Sequence, residues 1–340
     1  MISTICVLRL SALGDVLMFV PTIRRLQEQF PNATITWIIS RPAYDLVEGM
    51  DGVEFIVIEK PKRLLDYWHF KRQMRHRYFD VLLAAQASLR ANLLYPCIRA
   101  KRKIGYDKAR ANDGHRWFVH ETIPPGQEHT LEGFLKFSQS LGCQSATLRW
   151  GLPVSQADYA WARAHIPAGC GPLVVVNPAA SKAERSWLVT RYIEVILYLK
   201  NKWQARVILT GGPGTIDRQM ADAIVQAVDV TDLVGSTRPK QLLALIDLAD
   251  VVLCPDTGPA HMATAMSTPV VALHAVTNPQ ISGPYLYRQY VVDYYQISAQ
   301  RLLKKTTKNI PWGTQVHDAE AMSLIPVDAV RNRLDEILQK

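Results

Sequence analysis

Short apolar runs recur along the chain. Most are followed by a longer stretch whose apolar positions fall every three or four residues. The first kind reads as a buried strand and the second as an amphipathic helix. In the first half, the runs 4–10, 33–40, 53–59 and 80–86 predict strands. Between the first two, Val16, Phe19, Val20, Ile23 and Leu26 predict a helix over 15–30. The Pro- and Gly-rich stretch 165–172 reads as a linker.

The pattern then restarts. Strands are predicted at 173–179, at 205–214 up to a Gly-rich turn, and at 230–235, 248–254 and 268–275. Helices are predicted at 186–203, 216–228, 238–249, 260–267 and 327–339. Strands that alternate with helices make a parallel sheet covered on both faces. One architecture met twice in 340 residues predicts an α/β protein of two similar doubly wound domains. Ligands of such sheets sit beyond the C-terminal strand ends, so the loops there are the place to look for chemistry.

A hydrophobic share of 48% with 20% charged residues describes a soluble globular chain. No apolar run is long enough to span a membrane. The opening MISTICVLRL lacks the basic and apolar regions of a secretory signal. Cysteines 6, 97, 143, 170 and 254 are odd in number, scattered and free of any CxxC pair. That predicts a reducing cytoplasm and no zinc cluster, with Cys6 and Cys254 in the core. Charge changes the picture more. Between residues 60 and 116, 15 Lys and Arg stand against 4 Asp and Glu, a surplus larger than the +9 of the whole chain. A cationic segment of that kind implies an anionic partner, whether nucleic acid, membrane surface or acidic substrate.

Four loops offer chemistry. RLSALGDVL, residues 9–17, turns from strand to helix without the spaced glycines of a dinucleotide fingerprint, and no GxxxxGK[ST] occurs anywhere. Asp15 there is a helix cap or a general base. NPAASKAERSW, 177–187, sets Ser181, Lys182 and Arg185 after a buried strand, where cations beside unpaired N–H groups suit a diphosphate. LTGGPGTIDR, 209–218, has Gly211, Gly212 and Gly214, which permit close backbone approach or merely a tight connection. CPDTGPAHMATAMSTPVVALHA, 254–275, places Asp256, Thr257, Gly258 and His261 at the start of a helix. Such a turn is an anion site or an ordinary helix cap. Taken together, these loops read as a nucleotide-diphosphate donor site in the second half, opposite a base in a basic first half.

At both ends the chain resembles the bacterial lipopolysaccharide heptosyltransferases, glycosyltransferase family 9. LRLSALGDVLMFVPTIRRLQEQFPNATITWI is similar to their N-terminal signature, DTGPAHMATAMSTPVVALHAVTNP to their donor-site signature and NPAASKAERSW to their phosphate loop. The resemblance implies a GT-B architecture, two Rossmann-like domains facing across a cleft. An acceptor-binding domain would span 1–165 and an ADP-heptose-binding domain 172–322, with a C-terminal helix, 323–340, packing back on the first. It implies inverting transfer of L-glycero-D-manno-heptose from ADP-heptose without a metal or other cofactor. By motif position, Asp15 would be the base. Ser181, Gly212, Asp256, Thr257, Gly258 and His261 would hold the donor, Arg185 would neutralise the leaving ADP, and Thr237 would meet the adenine.

The stretches LLDYWHFKRQMRHRYFDVLLAAQASLRANLL, KIGYDKARAND and EHTLEGF resemble heptosyltransferase I, which acts on Kdo-lipid A. That implies acceptor contacts among Lys60, Lys62, Arg63, Gln86, Arg90 and Arg110, no nucleic-acid partner, and peripheral work at the cytoplasmic face of an anionic inner membrane. The alternatives are a heptosyltransferase II or III, acting on a core that already carries heptose, and a non-catalytic nucleotide-sugar or nucleic-acid binder. Loss of turnover on removing the Asp15 carboxylate separates the enzymes from the binder, and an acceptor panel separates the enzymes from one another.

Overall fold

The computed structural model describes residues 2–305 and 310–340. The chain divides into two compact units, Met1–Pro153 and Val154–Lys340.

The first unit carries strands β1 (Thr4–Leu8), β2 (Thr34–Ser40), β3 (Val53–Ile58), β4 (Phe79–Ala84), β5 (Ala100–Gly105) and β6 (Glu121–Thr122). Its helices are α1 (Leu13–Gln29), α2 (Arg41–Val47), α3 (Leu64–Met74), α4 (Leu89–Asn92) and α5 (Thr130–Gln139). The sheet is parallel throughout, in the order β3-β2-β1-β4-β5-β6. Strands β1 and β4 lie at its centre and are apolar because both faces are covered. Cys6, Leu8, Leu82 and Ala84 of these strands are fully buried among Phe70, Met74 and Tyr95.

The second unit begins with helix α6 (Gln156–His165). It continues through β7 (Leu173–Val176), α7 (Val189–Trp203), β8 (Arg206–Leu209), α8 (Thr215–Ala227), β9 (Thr231–Asp232) and α9 (Pro239–Asp247). Then come β10 (Val251–Pro255), α10 (Gly258–Met266), β11 (Val270–His274), α11 (Pro279–Ser282), β12 (Val292–Asp293), α12 (Tyr295–Leu302) and α13 (Val327–Leu338). Its parallel sheet runs β12-β11-β10-β7-β8-β9. Numbered within the unit, that is the same strand order as in the first. The order reverses between β1 and β4 in one unit and between β7 and β10 in the other, and crevices at such switch points hold the ligands of doubly wound folds. The expected repetition of one α/β architecture is therefore present strand for strand.

One limit differs from expectation. The first unit ends at Pro153 and not at 165. Helix α6 belongs to the second unit because it packs on α9. There Tyr159 Oη donates to Asp247 Oδ2 at 2.6 Å, and Arg238 lies 3.5 Å from the buried Asp158. The final helix is part of the second unit. Val330, Leu334 and Ile337 of α13 sit in the second unit's core, and Trp203 and Tyr198 of α7 bond Asp335 at 2.8 and 2.6 Å. Cys6 and Cys254 are core residues, as their strands imply, and burial pushes both thiols up.

Candidate active site

Each candidate residue lies on the loop side of its sheet, after the C-terminal end of a strand. In the first unit Asp15 stands in the first turn of α1, directly after β1. Its Oδ2 accepts the Ala12 N–H at 3.0 Å and pairs with Arg9 Nη2. Arg9 is buried. It donates through Nη1 to Ala85 O at 2.7 Å and to Tyr106 Oη at 3.4 Å, and its guanidinium lies 4.9 Å over the Phe134 ring. The Asp15 side chain remains 30% exposed, so the carboxylate is held from the protein side and stays accessible to solvent. Sequence reasoning passed over Arg9, whose signal is a lone cation in an otherwise apolar strand run.

The β4 loop joins the same place. Gln86 Oε1 accepts the Leu10 N–H at 2.7 Å, which ties the ends of β1 and β4 together across the switch point. Lys60, Lys62, Arg63 and Arg90 are exposed, after β3 and β4. The backbone N–H groups of Lys62 and Arg63 donate to Asp66 Oδ2 at 2.8 and 2.9 Å, which caps α3 and leaves both side chains free to reach outward. Arg110 is partly exposed on the loop after β5. Its guanidinium is spent internally on Asp107, on Glu128 Oε1 at 2.5 Å and on Pro124 O at 2.8 Å. It is a brace for the loop after β5.

In the second unit the β7 and β10 loops meet. Arg185 Nη2 donates to Asp256 Oδ2 at 2.8 Å and to the Asp256 carbonyl oxygen. Asp256 is buried, and Oδ2 also accepts the Thr277 hydroxyl at 2.7 Å and the Ser282 hydroxyl at 3.5 Å. His274, 1% exposed, has Nδ1 3.2 Å from the same Thr277 hydroxyl oxygen. Burial pushes the Asp256 carboxyl up. The pull of His274, Arg185 and His261 and the Thr277 hydrogen bond overcome that, so it stays below its ordinary value. Asp256 therefore works first as the anchor of Arg185. Thr277 and His274 were missed from sequence because His274 ends β11 and Thr277 follows it, where the hydrophobic pattern showed only another apolar strand.

Thr257 is the N-cap residue of α10 but makes no capping bond with its side chain. Gly258 and Pro259 open the helix, and a Cβ placed on Gly258 would meet nothing within 4 Å. His261 is 8% exposed, one turn in. The first-turn N–H groups of α10, beside the Arg185 guanidinium, are a combination suited to a phosphate. Ser181 is exposed on the β7 loop, and Thr237 is half-buried just before α9. Gly212 lies on the loop after β8. Its N–H donates to Asp217 Oδ1 at 2.8 Å, so that donor is occupied by the first turn of α8.

Two doubly wound units in one chain, with a carboxylate at one switch point and an arginine beside a helix N-terminus at the other, are the architecture of the GT-B class. The sequence model of glycosyltransferase family 9 (heptosyltransferase) matches residues 67–312. The lipopolysaccharide core heptosyltransferase OpsX of Haemophilus influenzae is 34% identical over 340 residues, which cover 98% of this chain and 96% of its own. Among solved structures, a glycosyl transferase family 9 protein of Veillonella parvula superposes with a TM-score of 0.81 at 19% identity, over 99% of this chain and 97% of that one. The ADP-heptose lps heptosyltransferase II of Escherichia coli follows at 0.75 and 19%, over 99% and 98%. The chain belongs to glycosyltransferase family 9, the heptosyltransferases.

Proposed function

We propose that this enzyme is a heptosyltransferase of type I, which moves L-glycero-D-manno-heptose from ADP-heptose to a Kdo residue of the lipopolysaccharide inner core. The acceptor would be Kdo-lipid A, with or without phosphate on the Kdo, at the cytoplasmic face of the inner membrane. The observation that carries the donor half is Arg185, held by Asp256 beside the start of α10. An arginine fixed there supplies positive charge to a diphosphate as it departs, the work a metal ion would otherwise do.

The reaction follows in atoms. The acceptor hydroxyl oxygen attacks the anomeric carbon of heptose, and that carbon's bond to the β-phosphate oxygen of ADP breaks. The electron pair leaves with ADP, where Arg185 and the α10 N–H groups receive the charge. Asp15 takes the hydroxyl proton as the new bond forms, and attack opposite the leaving group inverts the anomeric centre. Arg9 and the Ala12 N–H orient the Asp15 carboxylate for this step. The exposed Lys60, Lys62, Arg63 and Arg90 suit an acceptor that carries carboxylate and phosphate. The test is transfer from ADP-heptose to purified acceptors. A heptose-free Kdo-lipid A should gain one heptose, and chelating divalent ions should leave the rate unchanged.

A further inference from the structure

Helix α3 buries one side in the first unit. Phe70 and Met74 are 4% and 0% exposed, and Tyr67 packs against the same cluster. The opposite side of such a helix is ordinarily polar. Here Leu64, Leu65 and Trp68 face outward at 87%, 57% and 53% exposure. Trp68 lies four residues after Leu64 and three after Leu65, which puts it beside both on the helix surface, and Arg72 continues the row with its guanidinium 5.8 Å from the Trp68 ring.

Two neighbours extend this surface. Helix α4 abuts α3 through Tyr67 Oη, which donates to Arg90 O at 3.4 Å, and it exposes Leu89 and Leu93. The 3-10 turn His115–Phe118 is tied to α4 by the His115–Asn92 contact at 2.8 Å, and Trp117 there is 87% exposed. The same segments carry exposed cations: Lys60, Lys62, Arg63, Lys71, Arg72, Arg90 and Arg116. Two acids on these elements have protein partners, Asp66 in capping α3 and Asp113 in accepting the Leu89 N–H at 2.9 Å.

An aromatic and leucine ridge ringed by Lys and Arg is the chemistry of an anionic lipid interface, where apolar tips enter the acyl boundary and cations meet the headgroups. Among the described residues no helix is long and apolar enough to cross a membrane, so attachment by such a surface would be peripheral. We propose that the α3–α4 face, with Leu64, Leu65 and Trp68 at its tip, docks this enzyme onto an anionic bilayer. The inference rests on the proposed lipid-linked acceptor for its purpose, and its test is independent of heptose transfer.

The experiment is sedimentation of the full chain with vesicles of phosphatidylethanolamine and phosphatidylglycerol, against pure phosphatidylcholine vesicles. A triple variant, Leu64→Ser, Leu65→Ser and Trp68→Ser, is compared with the parent. The parent should partition to the anionic vesicles at least about tenfold better than to the neutral ones, with that preference falling as salt is raised. The triple variant should lose at least about tenfold of the anionic partition, while its turnover of a deacylated, water-soluble acceptor is unchanged. Equal partition of parent and variant, or no preference for the anionic vesicles, would overturn the proposal. So would a parent chain that is a dimer in solution and is made monomeric by the three substitutions, since a second copy would then cover the ridge.

Discussion

Arg185 and Asp256, 71 positions apart in the chain, are joined at 2.8 Å where β7 and β10 part company. This pair fixes a guanidinium at the switch point of the second unit before any ligand arrives. A side chain already held in place loses less conformational freedom on binding than a mobile one does. Arg185→Ala should weaken ADP binding by about 10- to 100-fold, the loss of a charge-assisted bond of about 1.5–3 kcal/mol. Isothermal titration calorimetry measures it, and unchanged affinity would remove Arg185 from the donor site.

Gly258 gives a cleaner probe of the same site. A Cβ added there meets no atom within 4 Å beyond its chain neighbours and its own helix backbone. Gly258→Val puts a β-branched residue directly before Pro259, so its melting temperature is compared with the parent's first. If the first turn of α10 receives the diphosphate, the added methyls fall between ligand and backbone, and ADP binding should drop by more than tenfold. A variant that melts like the parent and binds ADP like the parent contradicts the assignment.

Asp15 and Arg9 share one pairing, and substitution separates base from scaffold. Asp15→Asn keeps the side chain's shape and its acceptance of the Ala12 N–H but removes the base. Turnover should fall by about 100- to 10,000-fold, the usual worth of general-base catalysis. ADP affinity should be untouched, because the donor residues lie in the other unit. A fall in ADP affinity equal to the fall in turnover would deny Asp15 a role in the chemical step.

His115 predicts a pH dependence of stability. It is fully buried, with Nε2 accepting the Tyr106 N–H at 3.1 Å and Nδ1 2.8 Å from Asn92 Oδ1. Burial lowers its pKa from 6.5 to about 4. A folded-state value below the unfolded one means the stabilisation is complete above the unfolded pKa and is lost as pH falls toward the folded one. Unfolding measured by denaturant should therefore show stability falling between about pH 6.5 and 4. His115→Gln, which does not titrate, should flatten that part of the curve relative to the parent.

Much of this was legible in the chain, for a physical reason. Central parallel strands are buried on both faces, so β1, β2, β4, β7, β10 and β11 announce themselves as apolar runs, and their loops must carry the ligand-facing residues. Strand β5 did not, because Ala100–Gly105 reads AKRKIG and its basic positions keep partial contact with solvent. The unit boundary was misplaced because α6 is amphipathic whichever domain it covers, and only its packing on α9 decides the matter. Arg110 and Gly212 looked available in sequence for the same reason. A motif shows which groups a loop offers, but not the protein partners, Glu128 and Asp217, that hold them. The Thr277 and His274 support behind Asp256 is likewise tertiary, built from a strand end 18 or more residues away.

The central claim is that this enzyme places the first heptose on an acidic sugar. The measurement that tests it most directly is mass analysis of products after incubation with ADP-heptose and a panel of acceptors. The panel is Kdo-lipid A, phospho-Kdo-lipid A, Kdo₂-lipid A and a core that already carries heptose. The account predicts a single added heptose on at least one heptose-free Kdo acceptor and none on the heptosylated core. Transfer only to the heptosylated core would contradict it.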